Sequence, residues 1–520
     1  MNKCEFSTFS ALPDSPSSYW LNSVEAEPLS FEPLGENIEV DVAVVGGGIT
    51  GITLAALLAE EGKRVALLEA GRLLSGTTGH TTAKITAQHD IIYDEWIQHI
   101  GEERSRLYYE ANMEALAFIR RQVESHRIDC DLQPEDSYIY TTSDANIKKL
   151  DREWAAYERL GIPGRRIGHI PLPVNSRAAV VMTGQARFHP VAYLKRLLRS
   201  FVDKGGLVFE HTTALGVDHG DPLTKVATGT GHTVLCGHVA SCTHFPFYGL
   251  RGFYFARMYA ERSYVLGLRM KDDYRYPGGM YFSADDPPRS IREVTYNGDK
   301  LLLVGGEKHK PGQGICTIKH YEALERFARS TFGDWEIAYR WSAQDLTTLD
   351  KLPYIGRAST HEPRVLVATG YRKWGMTTGT AAAMLLKDMI LGSDNRYEEL
   401  FAPSRFYADP ALKTFLSSNA DVAKHLLEGK LEWVRRHPQE VKPGEGAVVQ
   451  VNGGRAGAYR EQDGTLHVVD TTCTHMGCEV EWNDGDRTWD CPCHGSRFSF
   501  KGEVVEGPAK QPLKSYTKPQ

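Results

Sequence analysis

The stretch that most limits what this chain can fold into is Asp41 to Arg72, DVAVVGGGITGITLAALLAEEGKRVALLEAGR. It opens on an apolar, β-branched run, Val42 to Val45, of the kind that is buried on both faces of a parallel sheet. Gly46, Gly48 and Gly51 follow in G-x-G-x-x-G spacing. Ile52 to Glu61 reads as a helix with Leu and Ala on one face, and Lys63 to Leu68 as a second strand with Glu69 at its end. Gly46 permits a tight turn, Gly48 lets a pyrophosphate approach the backbone, and Gly51 lets helix and strand pack closely. The helix N-terminus offers free N–H groups and a positive dipole end to phosphate. Glu69, eighteen residues past Gly51, is placed to accept hydrogen bonds from a ribose diol. Strand, glycines, helix, second strand and terminal acid in register specify a dinucleotide-binding unit, which a glycine triplet alone would not.

The chain has 520 residues and a formal net charge of −6, room for two or three domains with their own cores. Near-balanced charge without a long basic run argues against nucleic acid as a partner. No apolar run approaches a membrane span, and the N-terminus lacks the apolar core of a signal peptide, so a cytoplasmic location is expected. Four of the nine cysteines lie between Cys473 and Cys493, a clustering that suits a metal site better than a spread disulfide framework.

Residues 1–40 form a Pro/Ser-rich lead-in expected to pack on the surface. Leu73 to Asp90 is rich in small hydroxyl residues, including Thr78, and follows the second strand, where a loop wraps a phosphate or a ring. Tyr93 to Ser125, Ala145 to Gly161 and Val191 to Lys204 read as helices, the last with Pro190 in its first turn. Thr233 to Cys242 reads as a return to the dinucleotide sheet. Residues 251–345 alternate strand and turn with many aromatics, as a sheet-rich substrate domain would. Arg364 to Ala368 is a further buried strand, and the Gly-rich turn after it leads into an apolar helix beginning near Gly375 and Met376. That helix N-terminus suits the electron-rich edge of a ring. Residues 401–442 read as a charged linker, and from 443 short strands and glycine turns indicate an all-β domain.

Inside that last segment, Cys473 and His475 stand in C-x-H spacing and, after fifteen intervening residues, Cys491 and His494 in C-x-x-H spacing. Two thiolates and two imidazoles are the ligand set of a Rieske [2Fe–2S] centre, and equally of a tetrahedral zinc site.

Both halves resemble known families. Residues 41–400 resemble the D-amino-acid-oxidase-like FAD oxidoreductases, and residues about 440–515 a bc-type Rieske domain. The whole chain is similar to bacterial FAD-dependent oxidoreductases with a C-terminal Rieske domain. The resemblance implies an α/β (α+β) FAD-binding Rossmann-type domain over 41–250 and 346–400, with 90–185 as a partly helical insertion. It implies an inserted substrate domain over 251–345 and an all-β Rieske domain over 443–520. It also implies FAD held at Gly46, Gly48, Gly51 and Glu69, with the ring near Gly375 and Met376. In the Rieske half it implies cluster ligation by Cys473, His475, Cys491 and His494, a disulfide between Cys478 and Cys493, and a proline loop at Gly507-Pro508-Ala509. The extra cysteine in each loop sets zinc aside. The stretch Ser75 to Thr82 resembles the Gly-Ser-Thr-Trp-His segment that carries FAD covalently in dimethylglycine dehydrogenase-like enzymes. His80 is the matching position, with Gly79 where the family has Trp; the alternative is a His80 that only hydrogen-bonds the cofactor. Ser496 fills the place of a Ser that hydrogen-bonds the cluster, and Phe498 the place of a Tyr.

The pairing of centres indicates a dehydrogenase. Flavin takes two electrons from a C–H bond and gives them up singly, and a Rieske cluster carries one at a time. The expected substrate is an amine or amino-acid-like compound oxidised at its C–N bond, with electrons leaving for an external acceptor. The alternative is an electron-transfer flavo-iron-sulfur protein serving a partner enzyme. Arg289 and Arg292 are candidates to clamp a substrate carboxylate, against a plain salt-bridged surface pair. Tyr281 and Trp374 are candidates to wall the ring, against core packing. Lys84 and Lys373 are candidates to stabilise negative charge on reduced flavin, against solvated lysines.

Overall fold

The computed structural model describes residues 12–24, 29–218, 220, 222–247, 252–271, 274–314, 316–359, 361–431 and 434–516. Much of the lead-in, residues 1–11 and 25–28, lies outside them. The rest of it departs from the expected surface packing. Tyr19 and Trp20 of the short helix α1 (Tyr19–Asn22) are fully buried. Trp20 Nε1 donates to the Thr81 carbonyl at 2.7 Å, and Ser18 Oγ donates to the Gly79 carbonyl. Two large rings gain more by burial than a surface segment could, and they pin the loop that carries His80.

In chain order the body begins with β1 (Ile38–Val45), α2 (Ile49–Glu60) and β2 (Val65–Leu68), the expected βαβ opening. There follow β3 (Lys84–Ile85), α3 (Tyr93–His126), β4 (Gln133–Thr141), α4 (Ile147–Leu160), β5 (Gly164–Ile167) and β6 (Ala178–Arg187). Next are α5 (Pro190–Asp203), β7 (Leu207–Phe209), β8 (Ala214–Asp218), β9 (Thr224–Thr228) and β10 (Thr233–Ser241). The middle of the chain holds β11 (Met258–Met270), β12 (Met280–Ser283), β13 (Arg289–Val294), β14 (Leu301–His309), α6 (Ile318–Phe332) and β15 (Trp335–Thr348). Then come β16 (Tyr354–Arg357), β17 (Val365–Thr369), α7 (Gly375–Leu391) and α8 (Ala408–Leu431).

Among the described residues these strands form two sheets. The first runs β16-β17-β10-β1-β2-β7, parallel except at β16, with the β8–β9 hairpin added beside β10. β1 is buried along its apolar half, as the opening run predicts. The second sheet runs β15-β11-β14-β13-β12-β4-β6-β3, with β5 beside β6. It draws strands from 84–187 as well as from 251–345, so the 90–185 stretch is not a separate insertion into the dinucleotide sheet. The join is the parallel pairing of β12 with β4, where Tyr281 lies beside Tyr138 and the two rings stack at 4.7 Å. Neither strand group closes an apolar face alone; together they bury one against α6.

The C-terminal domain is all-β. A three-stranded antiparallel sheet (Gly446–Val451, Gly454–Arg460, Leu466–Asp470) precedes a four-stranded one (Glu481–Asn483, Thr488–Asp490, Arg497–Ser499, Val504–Glu506). Val480, Trp489 and Phe498 fill its centre. Helix α8 carries the chain to it along the outside of the body, with Asn419 Nδ2 donating to the Ala256 carbonyl and Lys310 paired with Asp421 at 2.8 Å. Among the described residues no helix is long and apolar enough to cross a membrane.

The C-terminal domain sits against the β11–β15 ladder. The side chain of Arg262 in β11 is fully buried there and lies 2.6 Å from Glu506. Burial alone would raise the Glu506 carboxyl, but Arg262 and Arg497 outweigh it and hold it down to about 2, from an ordinary 4.5. A depressed native pKa contributes stability that is whole above the ordinary value and is lost as pH falls through the native one. Docking is therefore expected to be insensitive to pH above about 4.5 and to weaken between about 4.5 and about 2. Thermal unfolding followed across this window should show the loss in the native protein and a smaller one in Glu506→Gln.

Candidate functional site

The first glycine turn is as tight as its spacing suggests. A Cβ on Gly51 would come within 1.9 Å of the Gly46 carbonyl, and one on Gly46 (φ +107°) within 2.4 Å of the Cys242 carbonyl. Gly48 faces Thr78, whose hydroxyl accepts from Ile49 N at 3.1 Å. Glu69 accepts from Gly47 N at 2.8 Å and Gly71 N at 2.9 Å, so it braces the glycine loop as well as facing the cavity. Burial pushes its carboxyl up, against those hydrogen bonds.

From this turn a cavity of about 410 Å³ runs along the first sheet and under the second. Gly46, Gly48, Glu69, Thr78, His80, Gly375 and Met376 line it, as do Lys84, Lys373 and Trp374. His80 turns Nδ1 to the Gly76 carbonyl at 2.9 Å, and burial lowers its pKa. Gly375 opens α7, so the free N–H groups of a seventeen-residue helix point to the cavity end.

Lys84 is almost wholly buried, not solvated. Its Nζ donates to the Tyr281 carbonyl at 2.7 Å and to Ser290 Oγ at 2.8 Å. Burial, and then Arg292, lower it to about 7. Asp345, in β15, also lines the cavity, and burial raises it to about 6 although Lys373 acts against that.

Three expected substrate residues are not among those lining the cavity. Tyr281 is fully buried on the other face of its strand, its hydroxyl donating to the Gly278 carbonyl. Arg289 pairs with Glu307 at 2.7 Å and lies over Phe327. Arg292 is buried beneath the cavity floor, donating to the Ala83 carbonyl, with its guanidinium 5.2 Å from the Trp20 ring. For Tyr281 and Arg289 the reason is the two-residue period of a strand. Phe282 and Ser290, each one position along, are the residues of β12 and β13 that reach the cavity; Arg292, two positions from Ser290, shares its face and lies below the lining, held to the Ala83 carbonyl. Alternation from a core-packed Tyr281 would have found Phe282; Asp345, a lone acid within a strand, carries no sequence signal.

In the C-terminal domain Cys473 and Cys491 are buried free thiols. The His475 and His494 rings lie 5.0 Å apart at 88°, and Nδ1 of each is buried with no hydrogen-bond partner among the described residues. Cys478 and Cys493 form a disulfide between the two loops, so their sulfurs, though close to Cys491, are not available as ligands. Two thiols and two orphaned imidazole nitrogens are the donor set a Rieske cluster requires. Ser496 Oγ accepts from Ala509 N at 3.0 Å and is within hydrogen-bond reach of the Cys473 sulfur. Phe498 is fully buried in the core beneath.

The two sites share a boundary. Val504 to Lys510 of the C-terminal domain, including the Gly507-Pro508-Ala509 loop, line the cavity beside His80 and His244. His475 lies 6.1 Å from Phe245, and His494 lies 5.8 Å from Phe255.

A family model for FAD dependent oxidoreductases matches residues 41–389, and one for the Rieske [2Fe-2S] domain matches 432–517. A Rieske 2Fe-2S iron-sulfur protein, YhfW of Bacillus subtilis (strain 168), is 50% identical over 501 residues, 96% of this chain and 97% of that one. Gamma-glutamylputrescine oxidoreductase of Escherichia coli (strain K12) is 24% identical over 416 residues, 76% of this chain and 94% of that one. The structure of glycine oxidase from Geobacillus kaustophilus superposes with a TM-score of 0.61 at 19% identity, covering 71% of this chain and 99% of that one. Both cofactors these matches imply, FAD and a [2Fe–2S] cluster, fit the residues found.

Gly51→Ala is expected to force helix α2 off β1, costing about 1–3 kcal/mol by overpacking; a lowered melting temperature together with weakened FAD retention would register it. Ser496→Ala should lower the cluster potential, because a hydrogen bond to a ligand sulfur stabilises the more negative, reduced state. Losing about 1.5 kcal/mol of such a bond corresponds to some tens of millivolts, at about 59 mV per tenfold for one electron. An EPR-monitored redox titration of the full chain reads it, and an unchanged potential would take Ser496 out of the sulfur's hydrogen-bond shell.

Proposed function

The chain belongs to the FAD dependent oxidoreductase family and carries a Rieske [2Fe-2S] domain, and from that premise we propose a dehydrogenase that oxidises the C–N bond of an amine or amino-acid-like substrate and passes electrons singly through the cluster to an external acceptor. The observation that carries the reading is one cavity bounded at once by the glycine turn, the second sheet and the Rieske loop. The names of two relatives, a gamma-glutamylputrescine oxidoreductase and a glycine oxidase, support a nitrogen-bearing substrate.

FAD, when bound, accepts a hydride and releases its electrons one by one. The chain's part is to hold and orient. Gly46, Gly48 and Thr78 leave space for a pyrophosphate at the α2 N-terminus, Gly51 lets α2 pack onto the turn, and Glu69 would meet the ribose. The α7 N-terminus at Gly375 and Met376, with Lys373, favours negative charge on a ring edge. Cys473, His475, Cys491 and His494 would hold the cluster.

The cavity floor on the second sheet is built of small residues, among them Ser263, Ser290, Gly305, Gly306 and Ala343. That leaves room for a substrate between ring and sheet. Phe282 and Trp374 meet edge to face at 5.8 Å and wall one end. A substrate ammonium must lose a proton before its C–H bond can yield a hydride. Lys84, at about 7, is the cavity group whose proton affinity suits that task at neutral pH.

Anaerobic addition of amines, N-methyl amino acids and NAD(P)H should bleach the flavin band with one of the nitrogen compounds and not with the nicotinamides. Bleaching by NAD(P)H alone would instead mark an electron-transfer protein without a substrate of its own. With the responding amine, the rate should rise with pH through about 7 as Lys84 becomes neutral, and Lys84→Met should abolish that inflection. An inflection that survives at about 6 would move the role to Asp345.

A further inference from the structure

The contact between the Rieske domain and the β11–β15 ladder is polar and buried. Arg262 of β11 reaches Glu506 at 2.6 Å and Asp490 at 3.7 Å, and its own sheet supplies it only neutral partners, Ser342 at 2.9 Å and Gln344 at 3.3 Å. The acids that balance this fully buried guanidinium therefore come from the other domain. Asp486, buried in the Rieske domain beside Arg497, accepts from Tyr321 at 2.9 Å and from Ser342. Arg340 donates to the Gly485 carbonyl, and Gly485 N donates to Thr317 Oγ1 at 2.8 Å. Gln344 Nε2 donates to the carbonyl of Gly495, next to His494, at 2.9 Å. A Cβ on Gly495 would lie 2.8 Å from both Gln344 and Ala260, so the cluster loop sits directly on the ladder.

Alternation along the ladder assigns its two faces. Ser263, Val265, Ala343 and Asp345 face the flavin cavity, while Arg262, Ser342 and Gln344 hold the Rieske domain. At the end of the ladder the same domain turns the corner. Val504 to Lys510 enter the cavity lining, and Lys510 Nζ donates to the Leu215 carbonyl at 2.7 Å. Glu506 is at once the partner of Arg262 and part of that lining.

We propose that the Rieske domain is a fixed wall of the flavin site, clamped by Arg262 and Glu506, and that electrons cross from flavin to cluster within one chain without domain movement. Arg262 and Glu506 are positioning residues, acting through loop 504–510 and the seating of the cluster loop. Each crossing would take one electron from reduced flavin and turn one ferric ion of the cluster ferrous, the second following once the cluster has passed the first to the external acceptor, with the N–H proton of the flavin going to solvent as its oxidation completes. The inference rests on the two cofactors and not on the identity of the substrate.

The test is flash photoreduction of the flavin in the holoprotein, with cluster reduction followed optically. Transfer should be a single exponential whose rate changes neither with protein concentration nor with added glycerol. A rate proportional to concentration would place the crossing between chains, and one that falls with viscosity would require a moving domain; either overturns the proposal. Arg262→Met should slow transfer at least about tenfold, since removing one partner leaves buried acids unpaired. It should also loosen FAD while leaving the cluster's EPR signal in place. Arg262→Lys, which keeps charge but not the fork, should fall between. Transfer at the native rate in Arg262→Met would overturn the clamp, and the concentration and viscosity series on the native protein decides the matter if that variant does not fold.

Discussion

The antiparallel ladder of β11 and β15 has to serve two faces at once, and the organisation of the molecule follows from that. Its thirteen- and fourteen-residue strands are long enough to reach from the floor of the flavin cavity to the seat of the Rieske domain. Side chains leave a strand alternately, so the same run of residues floors one site with small side chains and fastens the other with arginine, serine and glutamine. The cavity and the Rieske domain thus use opposite faces of one ladder without either sharing the other's core.

The energetics of the boundary explain why it is ionic. An arginine buried without a counter-charge costs several kcal/mol, and a paired one is close to neutral against a hydrophobic contact. By that measure Arg262 adds little net stability to the assembly, whereas its removal would leave the acids of the Rieske domain buried and unpaired. The lead-in plays a similar part on the cavity side. Trp20 and Ser18 bind carbonyls of the 79–81 turn, and Trp341 Nε1 donates to the His80 carbonyl at 2.9 Å, so the loop that faces the cofactor is fixed from two directions.

The cavity joins opposite demands in one space. Glycines and helix N-termini at one side favour the negative charge of a dinucleotide. Over the floor on the second sheet, burial moves Lys84 down and Asp345 up, both toward neutrality. Of the arginines that a carboxylate-binding reading would recruit, Arg289 pairs with Glu307, while Arg292 donates to the Ala83 carbonyl and keeps Nη2 buried with no hydrogen-bond partner among the described residues.

What the sequence by itself determined was local. The turn at Gly46, Gly48 and Gly51 and the ligand spacing of Cys473, His475, Cys491 and His494 are short-range geometries, fixed by backbone sterics and by the donor atoms a metal needs. Both cofactors and the fold of each half could be read from such motifs and the families they resemble. The tertiary structure alone decided which face of each strand meets the cavity. A shift of one residue exchanged Tyr281 for Phe282, and nothing within the strand marks its inner side. It alone joined β4 to β12 across 139 residues of chain, counting from Thr141 to Met280, and alone buried Lys84, whose charge would otherwise read as a solvated surface lysine. The pairing of Arg262 with Glu506, 244 positions apart, likewise exists only once both domains are folded, because desolvation by the whole assembly gives that contact its meaning.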